Sequence, residues 1–499
     1  MRTRIEHVLL TPDEMGRVDG AAAASGLPSF GLMQRAGMAV AADALRHFPE
    51  TRRFAVLCGP GNNGGDGYVA AQALAAFGCA VAVYHLGDPS RLSGDALTAR
   101  QACEIPSLPL ELYQPVAGDL VIDAVFGAGL SRDVPNAVAL AIERVQAIAV
   151  PVLAVDLPSG LCGRRGAILG QAFAARRTIT FMARKPGHLL MPGRSLCGDV
   201  SVFDIGIPQR ILEAHAGAIT ENTPFLWGRD LPTPGADSHK YRRGHLGVFS
   251  GPAAKTGAAR LSALAGLKTG AGLVTIASPA DAMADNAGHL TAVMLRQIDG
   301  PAELGEWLDD ARLSAFVLGP GFGIGHKARD FVGRLSERAL VLDADGMTSF
   351  KEDTAQLFDA FSNGEPHLVL TPHEGEFARL FPDIAADRSL SKVEKAQAAA
   401  RRAHAAIVYK GADTVISAPD GRATINTNAP PWLATAGSGD VLAGMIGALL
   451  AQGMPVFEAA AAGVYLHGEA AHLAGAGLTA EDLAEQAGRA MAGISDHLP

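Results

Sequence analysis

Short apolar runs rich in Val, Ile and Leu recur along the whole chain, separated by alanine-rich stretches of helical period. In the first half the runs lie at 53–59, 80–86, 119–127, 151–160 and 178–183, with helical patterns such as 67–77 and 135–147 between them. Strands that lack polar alternation must be covered on both faces, so these runs dictate a parallel sheet with helices on either side. The rhythm resumes with runs at 245–251, 272–278, 314–320, 339–345, 367–372 and 405–411, and helices near 258–269, 391–404, 438–452, 456–474 and 479–494. Between the halves, 223–244 carries three prolines and no periodicity, which marks a boundary. The expectation is an α/β protein of two doubly wound parallel-sheet domains, 1–222 and 223–499. No internal repeat relates the two.

Composition narrows the ligand class. Lys+Arg 42 against Asp+Glu 51 leaves a net charge of −9, which argues against a general nucleic-acid-binding surface. The longest strongly apolar run, 441–451, falls well short of the roughly 20 residues a membrane helix needs, and the start lacks the apolar core of a secretory signal. Cys58, Cys79, Cys103, Cys162 and Cys197 show no CxxC spacing and are expected as reduced, buried thiols in a cytoplasmic protein. A small molecule remains as the ligand.

In the first half, Gly59, Gly61 and Gly64 read G-x-G-x-x-G between a strand and a helix, a Rossmann-like feature suited to a phosphate at a helix N-terminus. A tight turn before a helix is the plainer reading of such a motif. Its polar content, Asn62, Asn63 and Asp66, exceeds what a dinucleotide turn requires. Asp123 and Asp156 end further strands, and such ends converge at the ligand crevice of a doubly wound sheet. An Asn amide oxygen, an Asp carboxylate and an oxygen near Ser159 would form an all-oxygen site for a hard cation. Asp156 then remains as a general acid or base. Each acid alone reads as a cap or loop anchor; several at one edge read as a site.

The segments NNGGDG (62–67), DAVFGAG (123–129), DLPSG (156–160) and FMARKPGHLLMPGR (181–194), in this order, resemble the NAD(P)H-hydrate epimerase domain over roughly residues 10–210. The opening segment 13–37 also resembles that family's N-terminal helices. The resemblance implies that Asn62, Asn63, Gly64, Gly65 and Asp66, with Gly127, Ala128, Gly129, Leu130, Ser131, Arg132 and Asp133, line the substrate. It further implies K⁺ held by Asn63, Asp123 and Ser159, and Asp156 against the hydrated nicotinamide nucleotide.

In the second half, Gly437-Ser438-Gly439 precedes an apolar helix that begins near Asp440. Small residues expose successive N–H groups there, and the helix dipole adds partial positive charge, so the turn can act as an anion hole. Asp440 is placed to take a proton from a hydroxyl that attacks a phosphoryl group; the plainer reading is an N-capping Asp. Lys410 to Ile416 reads as strand–turn–strand able to pack on an adenine. TPHEGEF (371–377) is not HExxH, and no GxxxxGK[ST] occurs, which excludes a zincin and a P-loop. His467 and His472 stand five apart, the wrong spacing for a shared metal.

HKYRRGHLGVFSG, VLGPGFG, VLDAD, TPHEGE, KGADTVI and GSGDVLAG, in this order, resemble the ribokinase-like superfamily, and within it the ADP- or ATP-dependent NAD(P)H-hydrate dehydratase, from about residue 235 on. That implies Ala258, Gly321, His373 and Asp440 against the hydrated nucleotide, and Lys410, Gly411, Ala412, Asp413, Thr414 and Gly439 around the adenine nucleotide. The departures are DADGMTSF (343–350), where the family shows DADALN, which bears on the loop after Asp345, and a loose match over 289–295.

Together the resemblances imply repair of NADHX and NADPHX: epimerisation of the R and S forms, with Asp156 catalytic, and dehydration of the S form by Asp440 at the expense of ADP, with ATP the alternative and Mg²⁺ in attendance. A homo-oligomer with no nucleic-acid or membrane partner is expected. The rivals are a sugar or vitamin kinase carrying a dinucleotide-binding module, an NAD-linked oxidoreductase using Gly59–Gly64 with Asp88 on a ribose, and a nucleotide sensor.

Overall fold

The computed structural model describes residues 7–233, 235 and 239–495, which divide into two compact units, one ending at Ile219 and the next beginning at Thr220. Residues 1–6 and 496–499, and Pro234, Ala236, Asp237 and Ser238 of the expected seam, lie outside the described residues.

The first unit is built on a seven-stranded sheet of order β3-β2-β1-β4-β5-β6-β7. Its strands are β1 (Arg53–Cys58), β2 (Val81–His85), β3 (Ser107–Pro109), β4 (Asp119–Ala124), β5 (Val152–Val155), β6 (Arg177–Phe181) and β7 (Asp199–Phe203). Every pairing is parallel. Side chains alternate between two cores, as strand geometry requires. Phe54, Val56 and Cys58 face one core with Leu120, Ile122, Leu153 and Val155. Helices Ser29–His47 and Asn62–Ala76 supply the other side of that core. Ala55, Leu57, Val121, Val152 and Ala154 face the opposite core under helix Asn136–Ala147. Each buried Val, Leu, Ile or Phe among them contributes about 1.5–3 kcal/mol. Helix Pro12–Ala24 starts where its sequence says it should: Thr11 and Glu14 form a reciprocal capping box, with Pro12 in the first turn.

The second unit carries a ten-stranded sheet of order β11-β10-β9-β12-β13-β14-β15-β16-β17-β8. These are β8 (Ile219–Glu221), β9 (His245–Phe249), β10 (Leu273–Ser278), β11 (Met294–Gln297), β12 (Leu313–Leu318), β13 (Ala339–Leu342), β14 (Leu368–Leu370), β15 (Ala406–Tyr409), β16 (Val415–Ser417) and β17 (Ala423–Ile425). From β11 to β15 the sheet is parallel; β16 and β17 run antiparallel. The loop between β15 and β16 is too short for a crossover, so the chain reverses beside itself. Helices Gly257–Lys268, Ser438–Ala451, Val456–Ala474 and Ala480–Ser495 join one face in a single core. On the other face Phe249 stacks on Phe316 and meets Trp307, Phe322 and Phe331 edge-on.

Both sheets contain a point where the chain leaves neighbouring strands in opposite directions, between β1 and β4 and between β9 and β12. Crevices at such points are where open α/β sheets bind ligands. All five cysteines are free. Among the described residues no helix is long and apolar enough to cross a membrane.

Candidate active sites

The turn after β1 lies against the turn after β4. A Cβ on Gly59 would sit 1.8 Å from the Val125 carbonyl oxygen, and one on Gly64 would sit 2.0 Å from the Gly59 carbonyl oxygen. Gly61 has open space around it, where a ligand can approach the backbone. The helix begins at Asn62, five residues before the expected Gly67, so NNGGDG is its first turn and not a loop. Glycine and asparagine are poor helix formers, which hid that turn.

Asp156 follows β5 with φ of +65°, an uncommon conformation for a residue with a side chain. Its Oδ1 accepts from Lys185 Nζ at 2.5 Å and from Thr180 Oγ1 at 2.9 Å, and its Oδ2 accepts from the Ala128 N–H at 2.8 Å. Lys185, which follows β6, is only 2% exposed and was not singled out from sequence. His188 braces the pair: its Nδ1 accepts from the Lys185 N–H and its Nε2 donates to the Asp156 carbonyl. Burial pulls this imidazole down to about 4, so it is neutral.

Burial pushes the Asp156 carboxyl up, but the Lys185 charge and hydrogen bond outweigh it and hold it at about 2. Asp66 goes the other way: burial, helped by Asp156 and Asp19, holds it well above the usual carboxylate range. Asp19 of helix Pro12–Ala24 is open to solvent on one side, yet lost hydration moves it to about 6, with Lys185 pulling it down and Asp156 pushing it up. Sequence reading missed Asp19 as well.

Asn63 and Asp156 meet around Gly127, where a Cβ would lie 2.8 Å from Asp156 Oδ2 and 3.2 Å from Asn63 Oδ1. The buried Asn63 Nδ2 makes no hydrogen bond. Of the loop after β4, Ala128 bonds Asp156 and the Leu130 N–H bonds the Gly127 carbonyl, while Gly129, Ser131, Arg132 and Asp133 are exposed. Asp123 and Ser159 form a fully buried pair: Asp123 accepts from Ser159 Oγ at 2.6 Å, the Ser159 N–H at 2.7 Å and the Val125 N–H at 3.3 Å. Burial still lifts Asp123 to about 6, against those hydrogen bonds, and none of them comes from a cationic side chain. Asp88, the ribose contact of the oxidoreductase rival, caps a surface turn through the Ser90 N–H and Oγ.

In the second unit the turn after β9 meets the loop after β12. A Cβ on Gly251 would be 2.1 Å from the Gly321 carbonyl oxygen. Gly321 has φ of +64°, and a Cβ there would be 3.6 Å from Ala258 Cβ, so these two expected substrate residues are neighbours. Asp345 Oδ2 accepts from the Gly323 N–H at 3.0 Å, so the segment that departs from the family pattern pins this loop.

Helix Ser438–Ala451 starts after Gly437, whose φ of +85° only glycine adopts readily. A Cβ on Gly439 would sit 3.7 Å from both Lys410 Nζ and Asp343 Oδ2. Lys410 Nζ donates to Asp343 Oδ1 at 2.9 Å. Burial lifts Asp440 to about 6; the Asp343 charge adds to this and Lys410 opposes it. Ser262 Oγ donates to the Asp440 carbonyl and His467 Nε2 to the Ser438 carbonyl, so two neighbouring helices fix the first turn. His472 bonds the Asn428 carbonyl instead, and the two histidines share nothing.

The Lys410 N–H donates to the Pro372 carbonyl, which ties 410–414 to the segment holding His373. His373 is half exposed and N-caps helix Glu374–Leu380 in a capping box with Glu376. Within the 410–414 loop Gly411 and Thr414 bond each other, and Lys392 Nζ holds Asp413 at 2.6 Å. Ala412 sits on the same turn. Among the described residues no group of three or more His, Cys, Asp or Glu side chains is set to hold a metal ion.

Family models match both units: a YjeF-related protein N-terminus over residues 29–187 and an NAD(P)H-hydrate dehydratase over residues 246–492. A bifunctional NAD(P)H-hydrate repair enzyme of Moorella thermoacetica is 36% identical, over 93% of this chain and 91% of the relative. The enzymes of that name from Coxiella burnetii and Escherichia coli are both 32% identical; they cover 95% and 96% of this chain and 98% and 93% of their own. Among solved structures, an ADP/ATP-dependent NAD(P)H-hydrate dehydratase from Bacillus subtilis is 26% identical with a TM-score of 0.46, covering 55% of this chain and 98% of its own.

Proposed function

Because the chain belongs to the family of bifunctional NAD(P)H-hydrate repair enzymes, we propose that its two carboxylate-centred sites divide one repair between them. The protein is an NAD(P)H-hydrate epimerase and an NAD(P)H-hydrate dehydratase, and the sugar or vitamin kinase reading gives way to this. The observation that carries the division is that each unit has its own carboxylate beside a lysine: Asp156 with Lys185, and Asp440 at a helix N-terminus near Lys410.

In the first site the hydrated nicotinamide ring lies over Asn62 to Asp66 and Gly127 to Asp133. Asp156 is ionised at neutral pH while burial pushes Asp66 toward its protonated form, a pair of carboxyls whose surroundings set them to opposite tasks. If the ring opens, Asp156 takes the carbon-6 hydroxyl proton as the bond from ring nitrogen to carbon 6 breaks. If the hydroxyl leaves as water, Asp66 supplies the proton and Asp156 faces the cation left on the ring. Reclosure or readdition from either face exchanges R and S.

The donors of Asn63, Asp123 and Ser159 are all oxygens apart from the unbonded Asn63 amide nitrogen, and Asp123 is a buried carboxylate without a cationic partner among its hydrogen bonds. That set fits K⁺. A bound K⁺ would neutralise Asp123 and stiffen the turns around the ring.

In the second site Asp440 takes the proton from the carbon-6 hydroxyl of the S form as its oxygen attacks the terminal phosphate of ADP, releasing AMP. The N–H groups at Gly437–Gly439 and Lys410 meet the charge that develops. Phosphate then leaves carbon 6 as a proton leaves carbon 5, restoring the reduced ring. Mg²⁺ would shield the phosphates. Lys410 to Thr414 and Gly439 hold the adenine nucleotide, and Ala258, Gly321 and His373 hold the hydrated one. ADP is the proposed donor and ATP the alternative. The reading extends to a homo-oligomer and to the cytoplasm, and the five free cysteines support the latter.

The test is recovery of the near-ultraviolet absorbance of the reduced ring from chemically hydrated NADH, with ADP and ATP in parallel. Recovery past the S fraction, faster than spontaneous epimerisation, is expected. Asp440→Ala should abolish recovery and spare epimerisation, and Asp156→Ala should do the reverse. Loss of both activities in either folded variant would overturn the division.

A further inference from the structure

We propose that Asp343 is a positioning residue of the phosphoryl-transfer site, holding the Lys410 ammonium beside Gly439 at the amino end of the helix that carries Asp440. This rests on the reading of Asp440 as the base and of Gly437–Gly439 as the phosphate cradle. Asp343 follows β13 and Lys410 follows β15, so the lysine reaches across the end of β14 to make the 2.9 Å contact. The Asp343 side chain is 4% exposed and that of Lys410 22%. The ammonium so held lies beside Gly439, at the cradle.

A lysine stem has four rotatable bonds and loses about 2 kcal/mol of rotamer freedom when fixed. Half-buried ion pairs add little net stability, so a retained one is better understood as fixing geometry. Here the geometry is specific. Asp343 Oδ2 and Lys410 Nζ are equidistant, at 3.7 Å, from the point where a Gly439 side chain would begin. The pair brackets Gly439, one of the residues whose N–H groups face the phosphate in that reading. A methyl group at 439 would be in van der Waals contact with both.

The arrangement also sets the charge around Asp440. The titratable groups facing it are Asp343 from the end of β13, Lys410 from the end of β15 and, one turn away on helix Val456–Ala474, the neutral His467. Helix Gly257–Lys268 presents Ser262 to the Asp440 carbonyl, and Leu261 of that helix and Ala480 of helix Ala480–Ser495 lie against the neighbouring Gly437. Among the described residues, Asp343 is the carboxylate whose charge resists ionisation of the base. Removing its charge has two separable consequences. Lys410 loses its anchor, and Asp440 loses a neighbour that resists its ionisation.

Asp343→Asn should raise KM for ADP on the order of tenfold. It should also move the acid limb of the dehydration rate to lower pH by about half a unit to one unit. Asp343→Glu keeps the charge but displaces the lysine, so it should raise KM with the acid limb in place. A residue that merely supports the fold would move neither the limb in the first variant nor KM selectively in the second. If Asp343→Asn does not fold, Asp343→Glu decides: an unchanged KM overturns the proposal. An acid limb unmoved by a folded Asp343→Asn also overturns it. Asp440→Asn is run alongside. If that variant retains full dehydration, the assignment of the base fails, whatever Asp343 does.

Discussion

Lys185 Nζ lies 2.5 Å from Asp156 Oδ1 although the lysine side chain is 2% exposed. An ammonium so deep costs several kcal/mol in hydration unless a carboxylate meets it, and removing one partner strands the other. Lys185→Met should therefore destabilise the first unit by roughly 3 kcal/mol at neutral pH. Asp156 sits at about 2 when folded against roughly 4 when unfolded, so its contribution is present above pH 4 and lost as pH falls toward 2. The gap between wild type and variant should close over that window. Denaturant unfolding of the first unit at several pH values measures it. A variant with wild-type stability and wild-type epimerisation would remove Lys185 from the site.

The dehydration rate should carry an acid limb near pH 6, because burial lifts Asp440 to about 6 and a base works only when ionised. Below the limb the rate should fall about tenfold per pH unit, and Asp440→Asn should lie about 10²–10⁴ below wild type. A pH–rate profile on the pure S hydrate is the measurement. A limb at the ordinary carboxylate position would mean that the site hydrates Asp440 in the working enzyme.

Gly59 and Gly61 should respond in opposite ways to alanine. At Gly59 the new Cβ meets a backbone oxygen at 1.8 Å, so β1 and β4 must part and the first unit should fail to fold stably. At Gly61 there is open space and no positive φ, so Gly61→Ala should stay within about 0.5 kcal/mol of wild type. Its effect should fall on KM for the hydrated nucleotide, because the methyl group occupies the approach to the backbone. Thermal scans and epimerisation kinetics of the pair separate packing from binding.

These contrasts also show what was legible in the sequence. The buried strands were, since β1, β4, β5, β9, β12 and β13 are apolar on both faces. The edge strands β3, β7 and β11 were not, because one side faces solvent and Ser107–Pro109 or Asp199–Phe203 carries no apolar run. β8 and β17 have three residues each and sit in no longer apolar run, unlike the equally short β14. Of the candidate sites, Asp156 and Asp440 were legible from strand-end and helix-start positions. Lys185, Asp19 and Asp343 were not: each acquires its meaning only from a partner on another element, which local pattern cannot reveal. His467 was visible as a histidine on an alanine-rich helix, but its bond to Ser438 depends on how two helices pack.

That bond supports a last prediction. His467 is 6% exposed and its Nε2 donates to the Ser438 carbonyl, in the first turn of the helix at the phosphate cradle. Burial brings the imidazole down to about 4, so it stays neutral in the folded unit at any pH where the enzyme works. The unfolded chain, with an imidazole near 6.5, takes up the proton first. Stability is therefore full above pH 6.5 and falls as pH drops toward 4, by roughly 3 kcal/mol at most. His467→Gln keeps a donor for the Ser438 carbonyl and cannot titrate. Its second unit should be less stable than wild type at neutral pH by about 1 kcal/mol, from imperfect packing, yet lose less on acidification. Denaturant unfolding between about pH 7 and about pH 4.5 should show the two curves converging and then crossing. Parallel curves would mean that His467 is already protonated and that the helix start is held by a charge, in which case KM for ADP should itself weaken as pH rises.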